Sequence, residues 1–308
     1  MTLSHLVALL TAVSLNANPS PHAIPTSINP TPVRAAVPAP MPAPPEKKRP
    51  ESLGPVVTSK AAVVVDVASG SVLFAKDAKV TRPIASLTKL MTAMVVLDQG
   101  LDGERTITLD AGDFEETSFF QAGDTLTRRD AFKAMLTGSV NEIANAFART
   151  SPGGRDAFLN AMRAKSEMLE LTSAAFADAS GVNRGSKASA VDVARLLRSA
   201  LGYAEIREDT SRLGLLVRTV ASEGVASRPV NIRATNLLLT SYLNKEPYRI
   251  VAAKTGSLPD AGYCLAQTTE NAEGRQVIAV TLGSVDHLSR FQDVKAMTGW
   301  TFETFAWK

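Results

Sequence analysis

Proline is distributed very unevenly along this chain of 308 residues. Twelve of the seventeen prolines lie between Pro19 and Pro55. Such a composition favours extended polyproline II backbone and supplies few side chains for a hydrophobic core. We therefore predict a disordered linker over residues 18–55 and a folded domain over residues 56–308.

A ten-residue apolar run at residues 6–15 precedes this linker. The run is shorter than the ~20 residues that a helix needs to cross a bilayer, and it is typical of the hydrophobic core of a signal peptide. We predict a signal peptide over residues 1–17 and a periplasmic or otherwise exported protein with no transmembrane helix in the mature chain. Loose association with membrane or cell wall stays open. An ordinary disordered N-terminus is the alternative.

Cysteine, histidine and charge exclude several classes of protein. Cys264 is the only cysteine, so the chain has no internal disulfide, and we expect this residue to be buried as a small apolar side chain. Three histidines are too few for a Cys/His zinc site, so we predict no metal and no cofactor. Residues 56–308 hold 29 Lys and Arg against 28 Asp and Glu, so no basic excess suggests nucleic-acid binding.

Strand-like segments lie near both ends of the predicted domain, with helix-like segments between them. The β-branched runs at 61–67 and 71–75 predict a hairpin. Later strands are predicted at 249–255, 262–268 and 276–282. The helical pattern predicts helices at 86–99, 128–136, 141–149, 154–169, 190–201 and 289–306. We expect one sheet built from both ends of the chain and an inserted helical region.

Ser86 and Lys89 open the helix predicted at 86–99, which is apolar nearly all round from Leu90 to Leu97. Residues three apart lie on one helix face. A helix N-terminus stabilises a developing alkoxide, and burial favours the neutral form of a lysine. This pattern indicates a serine activated without histidine. For the tetrapeptide alone, a serine N-cap followed by an exposed lysine is the alternative.

Two further motifs carry polar groups suited to a cleft. Ser139-Val140-Asn141 lies between two predicted helices, where serine and asparagine are also common as turn and N-cap residues. Lys254-Thr255-Gly256 ends a predicted strand and is followed by Ser257. At a strand edge, the lysine cation and the threonine hydroxyl suit an anionic, peptide-like ligand. The glycine has no side chain, so such a ligand can approach closely and add as an extra strand. A strand end with a turn is the alternative for this tripeptide.

Together and in this order, the three motifs are the signature of penicillin-binding proteins and related β-lactamases. From about Val56 to Trp307 the sequence resembles a low-molecular-mass penicillin-binding protein, a serine D-alanyl-D-alanine carboxypeptidase or endopeptidase. The segments that carry this resemblance are 82–98, Phe176, Gly181-Val182, 189–192, Thr235-Asn236 and 261–264. The resemblance implies a mixed α/β fold of the β-lactamase/transpeptidase type, in which a central, mostly antiparallel sheet is flanked by helices and holds an inserted helical subdomain.

The resemblance also implies a role for each motif residue. Ser86 would be the acylated nucleophile, Lys89 its general base and Ser139 a proton relay to the leaving group. The substrate-binding residues would be Asn141 for the amide, Lys254 and Thr255 for the carboxylate, and Gly256 and Ser257 along the strand. The backbone N–H groups of residues 86 and 257 would form the oxyanion hole. The implied partners are peptidoglycan peptide stems and β-lactam inhibitors, with no nucleic acid.

Two other functions stay open at this point. A β-lactamase shares the motifs but needs a positioned glutamate to activate water, and the segment Glu167–Leu171 offers one only within a predicted continuous helix. A non-catalytic peptidoglycan-binding scaffold is the second alternative. Departures from the family pattern at Glu142, Ser257 and Leu258 bear on substrate choice. The sequence does not separate endopeptidase from carboxypeptidase activity.

Overall fold

The fold combines an antiparallel sheet with helices on both of its faces. A computed structural model describes residues 42–115, 118–222 and 224–308; the predicted signal peptide and the linker up to residue 41 lie outside them. In these ranges the helices are α1 (Lys89–Asp98), α2 (Arg128–Thr137), α3 (Asn141–Thr150), α4 (Gly154–Met168), α5 (Ala190–Ala200), α6 (Ala204–Ser211) and α7 (Ser289–Thr304). The strands are β1 (Glu46–Lys47), β2 (Ala61–Asp66), β3 (Val72–Lys76), β4 (Arg82–Pro83), β5 (Thr106–Thr108), β6 (Thr125–Thr127), β7 (Lys187–Ala188), β8 (Gly214–Arg218), β9 (Pro229–Arg233), β10 (Arg249–Leu258), β11 (Gly262–Glu270), β12 (Gln276–Ser284) and β13 (Phe305–Ala306).

The central sheet has the strand order β10-β11-β12-β2-β3, and every neighbouring pair is antiparallel. β12 from the C-terminal part of the chain pairs with β2 from the N-terminal part, in a register that places Ala279 opposite Val64. One sheet is therefore built from both ends of the chain, as predicted. Its two ends are the edge strands β3 and β10.

Alternating side chains of the sheet fill two separate cores. On β2, Val63 and Val65 pack with the helical part of the molecule, whereas Ala62 and Val64 pack with α7. Since both faces are covered, this strand is an unbroken apolar run and not an alternating one. Each fully buried valine or leucine stabilises the fold by about 1.5–3 kcal/mol, so both layers hold the sheet in place.

Helix α1 lies at the centre of the helical layer. Its residues from Lys89 to Val96 are all buried, which explains why the sequence shows no polar face over this helix. The prediction of one helix over 86–99 needs a correction at its start. Residues 85–88 form a separate 3-10 turn, which opens on the left-handed Ala85 (φ 48°), and α1 begins only at Lys89.

Several other elements differ from the sequence-based expectation. Helix α6 and the hairpin of β8 and β9 were not predicted, and α4 ends at Met168. Strand β1 lies inside the predicted linker and pairs with β13, so regular pairing begins before residue 56. None of the helices in the described ranges has both the length and the apolarity needed to span a membrane.

Candidate active site

Two glycines hold the turn that carries Ser86. A Cβ added to Gly256 on β10 would lie 2.9 Å from the carbonyl oxygen of Ile84. A Cβ added to Gly181 would lie 2.1 Å from the carbonyl oxygen of Ala85, and Gly181 has a φ of 86°. Both positions therefore require glycine. The backbone of β10 at Gly256 and the backbone of the loop after α4 at Gly181 both pack directly against this turn. These two contacts fix the position of Ser86.

Lys89 is fully buried one turn after Ser86. Its Nζ lies 2.9 Å from Ser86 Oγ, 2.6 Å from Asn141 Oδ1 and 2.7 Å from the carbonyl oxygen of Ser180. Two of these oxygens can only accept hydrogen bonds, whereas a serine hydroxyl can also donate one. A neutral amine that donates to both carbonyls points its lone pair at the serine proton.

Lys254 projects from β10 and is 2% exposed. Its Nζ donates to Ser139 Oγ over 2.7 Å and to the carbonyl oxygen of Thr255 over 2.9 Å. Burial is the largest cause that lowers the pKa of the Lys254 ammonium well below its usual value, followed by Lys89 whenever its own amine is protonated and by the Arg290 guanidinium. A proton held here is therefore easily released to a neighbouring group.

Ser139 and Asn141 come from the connection between α2 and α3. Ser139 adopts a left-handed φ of 61°, and Asn141 is the first residue of α3. The next residue, Glu142, is buried and accepts a hydrogen bond from the hydroxyl of Ser118. The glutamate that departs from the family pattern is thus held inside the protein, and it does not line the cleft.

A cleft of about 860 Å³ opens over this constellation. Of the eight residues predicted from the motifs, the six that line it are Ser86, Ser139, Asn141, Thr255, Gly256 and Ser257. The remaining two, Lys89 and Lys254, lie buried beneath it and contact those lining residues. The structure therefore brings all eight predicted residues together.

The glutamates considered for a β-lactamase lie elsewhere. Glu167 and Glu170 line a separate cavity of about 860 Å³ beside Arg163 and Arg195. The prediction that the segment Glu167–Leu171 lies within a continuous helix is wrong, because α4 ends at Met168 and Glu170 has a left-handed φ of 54°. Neither carboxylate lines the cleft that contains Ser86.

The loop from Asp178 to Ser186 contributes to the site without having been predicted to do so. The Asp178 carboxylate accepts hydrogen bonds from Ser180 Oγ at 2.9 Å, from the backbone N–H of Asn183 at 2.9 Å and from Ser186 Oγ at 2.6 Å. These bonds hold the Ser180 carbonyl against Lys89. The pair Gly181-Val182 was part of the family resemblance, but polar loop residues lack a periodic pattern that would reveal their contacts.

Arg290 on α7 is a second group that sequence reasoning missed. It is 4% exposed, and its Nη1 donates to the carbonyl oxygen of Gly256 over 3.0 Å. Its guanidinium lies 4.7 Å from the ring centre of Phe291 and 5.4 Å from that of Tyr263. Through this hydrogen bond, α7 stabilises the position of β10 at the cleft.

The remaining candidate groups do not form a second centre. Cys264 is buried, and burial raises the pKa of its thiol to about 11, so it packs as a small apolar side chain, as expected. Within the described ranges, no group of three or more His, Cys, Asp or Glu is placed to hold a metal ion.

Comparison with known proteins identifies the family. A family model described as D-alanyl-D-alanine carboxypeptidase matches residues 47–286. The chain belongs to this family of serine peptidases. A D-alanyl-D-alanine endopeptidase of Pseudomonas aeruginosa is 31% identical to it over 253 residues, which cover 79% of this chain and 77% of that protein. An endopeptidase of Escherichia coli is 29% identical over 253 residues, 80% of this chain and 78% of the other.

Solved structures of related proteins have the same fold as this chain. A Streptomyces DD-transpeptidase superposes with a TM-score of 0.75 at 25% identity, covering 82% of this chain and 100% of that one. A penicillin-binding protein of Listeria monocytogenes in its cefotaxime-bound form gives 0.68 at 27% identity, covering 80% and 98%. The predicted family, mixed α/β fold and enzyme class, a serine D-Ala-D-Ala peptidase of the penicillin-binding type, are confirmed.

Proposed function

We propose that this protein is an exported serine D,D-peptidase that hydrolyses D-alanyl bonds in peptidoglycan stems or cross-links through an acyl-enzyme on Ser86, and that β-lactams inhibit it. The observation that carries the proposal is the contact of the buried Lys89 Nζ with Ser86 Oγ at 2.9 Å. The names of the similar endopeptidases support the substrate class.

Acylation follows from the positions of the side chains. Lys89 Nζ takes the proton of Ser86 Oγ as this oxygen attacks the carbonyl carbon of the D-alanine residue that precedes the scissile bond. The backbone N–H groups of Ser86 and Ser257 stabilise the oxyanion. The tetrahedral species then expels the leaving amine, which receives a proton from the hydroxyl of Ser139. Ser139 is reprotonated by Lys254, whose Nζ lies 2.7 Å away.

Deacylation completes the cycle. Lys89 first releases the proton that it took from Ser86 to the solvent of the open cleft, and Lys254 regains a proton in the same way. Water then adds to the acyl carbon as it loses a proton to the neutral Lys89, the bond to Ser86 Oγ breaks, and Lys89 returns that proton to the serine oxygen. In a β-lactam the expelled nitrogen stays tethered to the acyl group, so the adduct persists. Substrate binding is assigned to Asn141 for the amide and to Lys254 and Thr255 for the carboxylate.

A fluorescent penicillin tests the proposed nucleophile. The purified wild-type protein should form a covalent adduct that survives denaturation, and Ser86→Ala should form none. Absence of an adduct in the wild type, or an adduct undiminished in Ser86→Ala, would overturn the assignment. Fast penicillin hydrolysis without a persistent adduct would instead indicate a β-lactamase.

Muropeptide products distinguish the two D,D-peptidase activities. Release of D-alanine from monomeric pentapeptide stems identifies a carboxypeptidase, and conversion of cross-linked dimers into monomers identifies an endopeptidase. Because the similar Pseudomonas and Escherichia proteins are named endopeptidases, we expect dimer cleavage. Binding of the intact protein to stems without any cleavage would indicate a scaffold.

Export is tested separately. Fusion of residues 1–17 to a reporter that works only outside the cytoplasm should give reporter activity, and the mature protein should lack these residues. A full-length protein retained in the cytoplasm would contradict the proposed export.

A further inference from the structure

The ionisable side chains that line the cleft include both acidic and basic groups, and they are unevenly distributed. Arg290 and His287 line the cleft, and Lys254 is buried against its lining residues Ser139 and Thr255. Among the described residues that line the cleft, Glu115 is the only carboxylate. It follows the 3-10 turn at 111–113 and is exposed. A substrate therefore meets a negative charge at one part of a cleft that is otherwise neutral or cationic.

The contacts of Glu115 place it near the acyl-binding side of the site. Its Oε2 lies 3.1 Å from Ser180 Oγ. The carbonyl oxygen of Ser180 contacts Lys89 Nζ, as does Asn141 Oδ1. Lys254, which is assigned to the carboxylate end, contacts Ser139 and Thr255 instead. Glu115 is thus linked to the residues that would hold the acyl half of a peptide.

Glu115 keeps its capacity to bind a cation. No ion pair between described residues includes it. The Ser180 hydroxyl lies 2.9 Å from Asp178 Oδ2 as well as 3.1 Å from Glu115, and a hydroxyl has only one proton to donate. A carboxylate has about four acceptor positions, so the Ser180 hydroxyl occupies at most a part of those on the exposed Glu115, which lines the cleft.

We propose that Glu115 is a specificity-determining residue that binds a free side-chain ammonium on the amino acid preceding D-alanine in the acyl half of the substrate. The preferred substrate class is then a peptide stem whose diamino acid keeps that amine free. A charge-assisted N–H···O bond between ammonium and carboxylate is about twice as strong as a neutral one, and amide formation at the amine removes the charge. This inference rests on the proposed function.

Matched substrates test the preference. Cross-linked muropeptide dimers and monomeric pentapeptides that end in D-Ala-D-Ala are each prepared with the remaining side-chain amine free or acetylated. Wild-type kcat/KM should be about tenfold higher for the free amine, equivalent to about 1.4 kcal/mol. Glu115→Gln should reduce this ratio to about one, and Glu115→Lys should invert it, as expected for charge recognition.

The control variant is Glu104→Gln, which changes an exposed glutamate that does not line the cleft and should keep the wild-type ratio. Higher ionic strength should lower the ratio in the wild type and leave it unchanged in Glu115→Gln. Equal rates for the free and acetylated forms, or a ratio retained in Glu115→Gln, would overturn the inference and leave the proposed peptidase intact. Hydrolysis of neither form would overturn both.

Discussion

At the scale of single residues, the site depends on two buried amines with different surroundings. Lys89 is surrounded by oxygens at 2.6–2.9 Å, whereas Lys254 has a pKa well below its usual value because of burial and of the charges on Lys89 and Arg290. Such shifts are common where a lysine takes part in proton transfer. Two predictions separate the roles of the two amines.

The first prediction concerns Lys89→Arg. An arginine keeps the positive charge but stays protonated and cannot act as a base. General-base catalysis contributes about 10²–10⁴ in rate, so the acylation rate by a fluorescent penicillin should fall by about three orders of magnitude. Lys133→Arg, at a partly exposed lysine of α2 that pairs with Asp130, should label like the wild type. Substantial acylation of Lys89→Arg at neutral pH would contradict the role.

The second prediction concerns pH and Lys254→Met. Because the folded pKa of Lys254 is lowered from 10.5, the unfolded chain binds a proton that the native state does not bind in the pH window between the two values. Wild-type stability should therefore rise with pH in that window relative to Lys254→Met, by up to about 1.4 kcal/mol per pH unit. Urea unfolding of both proteins at a series of pH values below 10.5 measures it. Parallel stability curves would show that Lys254 keeps an ordinary pKa.

At the scale of elements, the loop from Asp178 to Ser186 and strand β10 hold the nucleophile turn between them. Gly181→Ala would place a Cβ 2.1 Å from the Ala85 carbonyl oxygen. Since that atom belongs to the backbone next to Ser86, the turn must shift, and the acylation rate should fall by more than tenfold, because small misplacements of reacting groups are costly.

Gly274→Ala is the matched control for this prediction. Gly274 has a φ of 73° and nothing within 4 Å of an added Cβ, compared with a φ of 86° at Gly181. Both variants carry the strain of a left-handed alanine, of about 1 kcal/mol, but only Gly181→Ala moves the catalytic turn. Equal acylation rates in the two variants would contradict the clamping role of the loop.

Some of these elements could be predicted from the sequence, and others could not. Strands β10, β11 and β12 were predicted from short, largely apolar segments, which the sheet buries, and the three motifs gave the eight residues of the candidate site. The hairpin of β8 and β9 was missed because its exposed Leu213 and Leu216 obscure the alternation of buried and exposed positions. Arg290 was missed because its partner is a backbone carbonyl on a distant strand. Asp178 was missed because its partners lie in an irregular loop, where no periodic pattern reveals them.

At the scale of the whole molecule, one buried carboxylate joins distant parts of the chain. Asp293 on α7 accepts hydrogen bonds from the backbone N–H groups of Thr58 and Ser59 at 2.8 and 2.9 Å, and from the hydroxyls of Thr58 and Ser284, both at 3.0 Å. The segment before β2, the end of β12 and helix α7 thus meet at one side chain. This junction connects the two ends of the chain that build the central sheet.

The last prediction is that Asp293→Ala destabilises the entire fold. Of the four donors that lose their acceptor, the backbone N–H of Ser59 and the hydroxyl of Ser284 belong to buried residues. Each unsatisfied buried group costs about 1–3 kcal/mol, so the free energy of unfolding should fall by at least about 2 kcal/mol. Trp300 and Trp307 report on the sheet and α7 side by fluorescence, and penicillin labelling reports on Ser86. Both signals should disappear at the same, lower urea concentration, since the sheet is shared by the two cores. Asp286→Ala, at an exposed carboxylate that caps the start of α7, should shift the midpoint less. Separate transitions for the two signals would show that the helical layer unfolds independently of the sheet.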